Sequence, residues 1–319
     1  MNILLLSAGR RVSLMNIIKD SIKRLEIDSN VFTVDAKMDN SPACMLNENH
    51  SYQVPRVDDS NYLQEILKLA HKNSIKLIVP TIDTELMILS KNRNIFLDQN
   101  IEILVSDSDV IKICQDKSRQ KELFNSFNIM TPELLNPKKL SFPLFAKPKT
   151  GSRSQGILSA KSINEIPTSS LENEELIFME LIDKEIYDEF TVDMYFDSQS
   201  NLIDLVPRHR IIVRDGEVSV GKTNKGKIYE ILLEKFKSFV GARGCITAQF
   251  FFNPKNEFLY GIEINPRFGG GYPLSDYAGA KFFEYAIKEY LLNEKIKVQS
   301  SWKDNIKMLR HDSEFFFET

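Results

Sequence analysis

Short apolar runs alternate with longer segments of helical spacing along the first hundred residues. Residues 2–6, NILLL, are apolar after one polar position, which predicts a strand buried on both faces. The segment VSLMNIIKDSIKRL places its apolar residues three and four apart and predicts a helix. VFTV at 31–34, IKLIVP and IEILVS read as further strands, with YLQEILKLAHKN and TELMILSKNRNIF as the helices between them. Strand–helix alternation of this kind predicts a parallel, doubly wound sheet. Ligands of such sheets sit at the carboxyl ends of the strands, where SAGRR and PTIDTE fall.

The pattern changes near residue 110. SDVIKICQDKSRQKELFNSF has helical spacing, with Ser108 as the expected N-cap. FPLFAKP, a Gly/Ser loop and GILSA then predict a hairpin rather than a crossover. Beyond residue 176, LIFMELI, EFTVDMYF, LIDLVPRHRIIVR, ITAQFFF and FLYGIEIN read as strands, with helices over 227–240 and 279–293. The expected fold class is therefore α/β followed by α+β. The expected divisions are residues 1–110, 111–175 and 176–319.

Composition narrows the possibilities. With 319 residues, 42% of them hydrophobic, two or three domains are expected at roughly 100–200 residues each. A net charge of −3 with scattered Lys and Arg offers no basic footprint, so no nucleic-acid partner is expected. Cys44, Cys114 and Cys245 lie far apart without metal-ligand spacing, and read as core thiols in a reducing compartment. The N-terminal apolar run is short for a signal peptide, and no stretch approaches the about 20 apolar residues of a membrane span. A cytoplasmic location without membrane attachment is the expectation.

Chemistry concentrates in three places. Glu263 and Asn265, two apart, share one face of a strand. Folding back through NPKNE sets Gln249 opposite residues 261–263. The resulting oxygen cluster suits a hard cation such as Mg2+, and Arg267 lies where transferring phosphoryl charge needs a partner. A half-exposed hairpin with polar groups in water is the alternative. Second, Lys147 ends an apolar strand before a loop, 150–156, whose glycines, serines and threonine let backbone N–H groups approach phosphate. It lacks the Walker spacing, and a flexible hairpin turn looks much the same. Third, Glu180 interrupts an apolar strand and Glu189 opens the next, which suits a nucleotide edge and equally suits solvated acids. Ser7, Gly9, Arg10, Arg11, Asp35, Asp83 and Glu85 lie at the strand ends of the first sheet. They line an acceptor site or form structural turns. His209 reads as a satisfied strand residue, and no dinucleotide fingerprint is present.

Taken in order, DKSRQKELF, FPLFAKP with GSRSQG, MELI with EFTVD, VPRHRIIVR, and AQFFF with GIEINPRFGGGYPLS resemble ATP-grasp enzymes. The chain is most similar to a single-copy, carbamoyl-phosphate-synthase-like branch of that superfamily, over nearly its whole length. The resemblance implies a Rossmann-like pre-ATP-grasp domain, then two α+β subdomains that clamp ATP. Lys117 and Lys147 would contact nucleotide phosphates, and Gly151, Ser152, Ser154 and Gly156 would belong to the loop closing over them. Glu180, Leu181 and Ile182 would read adenine and Glu189 the ribose. Glu263 and Asn265, assisted by Gln249, would bind Mg2+, one ion or two, with Mn2+ able to substitute. Arg267 would stabilise the transferring phosphoryl group, and Arg210 and Arg214 would contact phosphate or substrate. Glycines 269–271 would let the backbone approach the acceptor. Two residues are inserted before Glu189 relative to the carbamoyl-phosphate synthetase large subunit. That subunit carries two ATP-grasp copies and this chain one, which argues against carbamoyl phosphate as the product.

The activity so implied is an ATP- and Mg2+-dependent carboxylate ligase that joins a small carboxylate to an amine through an acyl phosphate. A phosphotransferase with a small-molecule acceptor and a non-catalytic ATP-binding regulatory module are the rivals. A homodimer is the commonest assembly for such chains.

Overall fold

The protein is described here from a computed structural model that covers residues 1–150, 156–214, 216–298 and 300–317. The N-terminal sheet contains β1 (Asn2–Leu5), β2 (Val31–Asp35), β3 (Ser51–Gln53), β4 (Ile75–Val79) and β5 (Glu102–Ile103) in the order β3-β2-β1-β4-β5, all parallel. Alternate residues of β1 serve opposite faces. Ile3 and Leu5 enter one core, Leu4 and the following Leu6 another, all fully buried. That is why residues 3–6 carry no polar position on either face. β3, a polar three-residue edge strand, is too short for any periodicity to reveal it.

The turn that leaves β1 is held from three sides. Ser7 and Gly9 both have positive φ, near 42°, a region where glycine costs least. Asp35 at the end of β2 accepts from the Gly9 N–H at 2.9 Å, and the Thr81 hydroxyl donates to the Ser7 carbonyl at 2.8 Å. Glu85 is wholly buried beneath, accepting from the Ser7 hydroxyl and from Tyr62 Oη at 3.1 Å. Burial pushes its carboxyl up to about 7, against the opposing pull of the bonds from Ser7, Tyr62 and Thr81.

A small antiparallel-paired sheet follows, made of β6 (Leu134–Leu135), β7 (Leu144–Pro148), β8 (Leu158–Ala160) and β9 (Leu176–Glu180) in the order β6-β9-β7-β8. β7 and β8 form the expected hairpin. The division expected at residue 175 is corrected here. β9 pairs with β7 along its full length, from Leu144↔Glu180 to Pro148↔Leu176, because Phe178 completes this sheet's own core.

The large sheet runs β14-β13-β10-β11-β12-β15, built from β10 (Asp188–Phe196), β11 (Leu202–Arg214), β12 (Glu217–Thr223), β13 (Gly244–Phe252), β14 (Leu259–Asn265) and β15 (Lys307–Leu309). Its core merges with one face of the N-terminal sheet through the helix Val12–Arg24. Three expected helices differ. The segment from residue 108 is capped by Asp107, with Ser108 already helical, and breaks where Asp116 turns extended; a 3-10 turn, Lys117–Arg119, and a helix, Gln120–Asn125, follow. The helix expected over 227–240 stops at Lys235. The last, expected over 279–293, spans Phe282–Tyr290, and a separate helix that was not expected, Tyr272–Ala278, precedes it and ends at Gly279 with φ 116°.

At the centre of the large sheet Asp193 (β10) and Arg208 (β11) are buried together, 0% and 2% exposed. Arg208 donates twice to the carboxylate, at 2.8 and 3.0 Å. Thr247 and Ser275 donate to the same carboxylate at 3.2 and 2.6 Å. Breaking such a pair strands a charge, whereas replacing both partners by apolar groups does not.

Two outcomes are expected. Asp193→Ala should cost about 3–5 kcal/mol of stability in urea unfolding. The double variant Asp193→Leu/Arg208→Met should recover much of that loss; simple addition of the single-variant losses would show that the two do not act as a unit. Glu85 takes up a proton on folding between its unfolded range, about pH 4.3, and its folded value of about 7. Its contribution is therefore greatest at low pH and is lost as pH rises through 7. Wild type should lose up to about 1.4 kcal/mol per pH unit between pH 5 and 7 through this group. Glu85→Gln should lack that component, and parallel unfolding profiles for the two proteins would refute the assignment.

Candidate functional site

The β13–β14 register sets Gln249 opposite Glu263 and Thr247 opposite Asn265. Gln249 Nε2 donates to Glu263 Oε1 at 2.9 Å, and Asn265 Nδ2 donates to the same oxygen at 3.2 Å. The expected convergence of the three is therefore present. Among the described residues Glu263 makes no salt bridge, and its Oε2 has no hydrogen-bond partner. A half-buried carboxylate flanked by two amides and in no direct salt bridge fits a hard cation that keeps water or phosphate as its other ligands. No group of three His, Cys, Asp or Glu residues suited to a metal exists among the described residues.

Lys147, on β7, is only 6% exposed although it is a lysine. Burial pulls its ammonium down to about 8; neighbouring Lys117 adds to the shift, and Glu263 opposes it. The break at Asp116 is what brings Lys117 here. The Asp116 carboxylate accepts from Ser118 N at 2.9 Å, and Lys117 N–H donates to the Lys149 carbonyl at 2.9 Å, tying the turn to the end of β7. Lys117, Gln120, Thr131, Lys147, Met179 and Ile262 line one cleft between the small and large sheets. Gln120 escaped the residue-level reading because it carries no charge or spacing signal. Its amide nitrogen donates to the Cys114 carbonyl at 3.1 Å, leaving Oε1 without a hydrogen-bond partner among the described residues.

Glu180 ends β9 beside Tyr260, whose hydroxyl is pushed up to about 12, first by burial and then by Glu180. The N–H groups of Glu180 and Leu181 are taken by the carbonyls of Glu133 and Pro143, at 3.0 and 3.4 Å, so those two donors are not available to a base edge. Ile182 is buried directly after them. Glu189 lies between Arg210 Nε at 2.8 Å and Lys184 Nζ at 2.9 Å, so any ribose would share it with two cations. Arg210 also donates to Thr191 and to the Gly216 carbonyl, both at 3.1 Å. Arg214 ends β11 in solvent, and His209 stacks on Phe190 with centroids 5.1 Å apart. Gly151, Ser152 and Ser154 lie outside the described residues. Gly156, at φ 68°, backs onto Pro148.

Arg267 meets a partner from the other end of the chain. Its Nε and Nη2 donate to the two carboxylate oxygens of Asp83, each at 2.8 Å. The glycines that follow do not all serve an acceptor. A methyl at Gly271 would lie 2.0 Å from Arg208 Nη1, and one at Gly269 would lie 2.9 Å from Thr247. Those two glycines admit the buried pair's neighbours against the backbone; only Gly270 faces a charged recess, formed with Arg11, Glu217 and Arg310. Arg11 also donates to the Thr81 carbonyl at 3.1 Å, whereas Asp35 and Glu85 are committed to the β1 turn and Arg10 projects into solvent. Arg310 and Glu217, an ion pair, had no sequence signal that tied them to the site.

Comparison with known proteins bears on the two halves of the chain and on its fold. Residues 3–104 match the family described as PylC-like, N-terminal domain, and residues 172–312 match the family described as ATP-grasp in the biosynthetic pathway with Ter operon. The carbamoyl phosphate synthase large chain of Clostridium perfringens is 27% identical over 224 residues, 63% of this chain. That of Clostridium botulinum is 29% identical over 199 residues, 56% of this chain. The chain spans about a fifth of these relatives, 20% and 18% of their lengths. Among solved structures, Campylobacter jejuni biotin carboxylase in complex with a β,γ-ATP ligand superimposes over 96% of this chain and 74% of its own, with a TM-score of 0.71 and 17% identity. Staphylococcus aureus N5-carboxyaminoimidazole synthetase with ADP covers 92% and 78%, with a TM-score of 0.67 and 16% identity. No helix among the described residues is long and apolar enough to cross a membrane. The chain therefore carries a PylC-like N-terminal domain over residues 3–104 and, over residues 172–312, a domain that matches an ATP-grasp family.

Proposed function

We propose that the protein is an ATP-dependent ligase that activates a small carboxylate as an acyl phosphate and passes it to an amine. The observation that carries this reading is Glu263, a carboxylate held by Gln249 and Asn265, in no direct salt bridge among the described residues, and close enough to Lys147 to oppose its loss of charge. ATP-grasp relatives and neighbours that bear ADP or ATP support the nucleotide. Glu263, Asn265 and Gln249 would hold Mg2+, which would offset phosphate charge there.

Lys117 and Lys147, which line the cleft, would contact the phosphates. Glu180, Leu181 and Ile182 border the base and Glu189 the sugar. A carboxylate oxygen of the substrate attacks the γ-phosphorus, the bond to the bridging oxygen breaks, and ADP leaves with that electron pair. Arg267 faces the charge that builds on the transferring group. The amine then attacks the acyl carbon, phosphate departs, and the amine loses a proton. No covalent nucleophile is required, because positioning and charge neutralisation dominate phosphoryl transfer. Arg11 and Arg310 around Gly270 favour an acceptor that carries at least one negative charge.

The test is release of ADP and phosphate from Mg·ATP across pooled carboxylates, with and without an amine pool. Both products should appear only when carboxylate and amine are present together, and Glu263→Ala should abolish them. Arg267→Ala should lower turnover about 10³-fold, by analogy with catalytic arginines. ADP without free phosphate would replace this reading with a phosphotransferase. Tight Mg·ATP binding without turnover on any pool would replace it with a regulatory module.

A further inference from the structure

We infer that Asp83 is a positioning residue for phosphoryl transfer, holding the Arg267 guanidinium in its working orientation from the N-terminal sheet. The inference rests on the proposed role of Arg267. Its evidence is a two-point contact between residues 184 positions apart. Nε and Nη2 of Arg267 meet Oδ1 and Oδ2 of Asp83, each at 2.8 Å, with the side chains 14% and 28% exposed. Such a fork fixes the plane of the guanidinium as well as its place. The third nitrogen, Nη1, has only a 3.4 Å contact with the Phe268 carbonyl, so its hydrogens are the ones left to offer an anion.

Both ends of the contact are themselves fixed. Asp83 opens the helix Asp83–Lys91, and its carbonyl accepts from Gln115 Nε2 at 2.8 Å, which ties it to the helix Ser108–Gln115. Glu85, two residues on, anchors the preceding loop through the Thr81 N–H. On the other side the Arg267 N–H donates to the Asn265 carbonyl at 2.8 Å, and its carbonyl accepts from Thr247 at 3.0 Å. Thr247 in turn donates to the buried Asp193. A long, flexible arginine otherwise gives up rotamer freedom when it is ordered. Here that ordering precedes the reaction, which is how preorganised groups lower a barrier. Asp83 touches neither phosphate nor acceptor in this account; it acts through Arg267.

The experiment uses the full chain and two readouts. Binding of Mg·ADP is compared with binding of Mg·ADP plus aluminium fluoride, a mimic of the transferring phosphoryl group, for wild type, Asp83→Asn, Arg267→Ala and the double variant. The kcat and KM for ATP are measured alongside, and thermal melting verifies that each variant is folded. Asp83→Asn should leave Mg·ADP affinity within about twofold, weaken the fluoride complex and lower kcat by about tenfold. It should have no further effect on top of Arg267→Ala. Asp83→Glu should restore part of the loss. Unchanged or raised kcat and fluoride affinity in Asp83→Asn, with Arg267→Ala impaired, would overturn the positioning role alone. An Arg267→Ala variant that loses neither readout would overturn the reading beneath it, and this inference with it.

Discussion

The buried ion pair of Asp193 and Arg208 is the constraint around which the catalytic half of the molecule is arranged. The two charges cross-link β10 and β11 at the middle of the large sheet. Thr247 extends the network to β13, and Ser275 extends it to the helix after the glycine run. Arg208 is so close to Gly271 that no side chain fits there, and Thr247 imposes the same condition at Gly269. Because Thr247 also grips the Arg267 carbonyl, a buried network sets the backbone from which the Arg267 guanidinium projects. Burying the pair is costly, and its return is definition rather than stability.

Much of the site was legible because it obeys strand geometry. Glu263 and Asn265 share a face by the period of two, and a short hairpin forces Gln249 opposite them. Lys147 was legible as the charge that ends an apolar strand. The β1 carboxyl-end residues were visible as a group but not by role: only the coordinates separate Arg11, which reaches the recess, from Asp35 and Glu85, which hold a turn. The glycine run misled for a related reason. A glycine required by a neighbouring arginine looks in sequence like one required by a ligand.

Other features were out of reach in principle. No periodicity links Asp83 to Arg267, or Arg310 to Gly270, because those pairings depend on how separate layers dock. The three-residue edge strands β3 and β15 are too short to show a pattern. The kink at Asp116 lies within a segment whose apolar spacing continues across it, and the side-chain bond to Ser118 competes successfully with the helix.

Gly261 carries a consequence for motion. The ring of Phe124 presses on it so closely that a methyl there would lie 2.3 Å from the ring, and the Gly261 N–H donates to the Met130 carbonyl at 2.8 Å. Helix Gln120–Asn125 and the chain through Met130 are thereby fastened to the large sheet and share its core. The small sheet closes around a core of its own, Leu144, Ala146, Ala160, Ile166 and Phe178, which is disjoint from the rest. Moving that sheet against the base would therefore disturb little apolar packing, but the Lys117 N–H bond to the Lys149 carbonyl at 2.9 Å would have to break or carry Lys117 along with it.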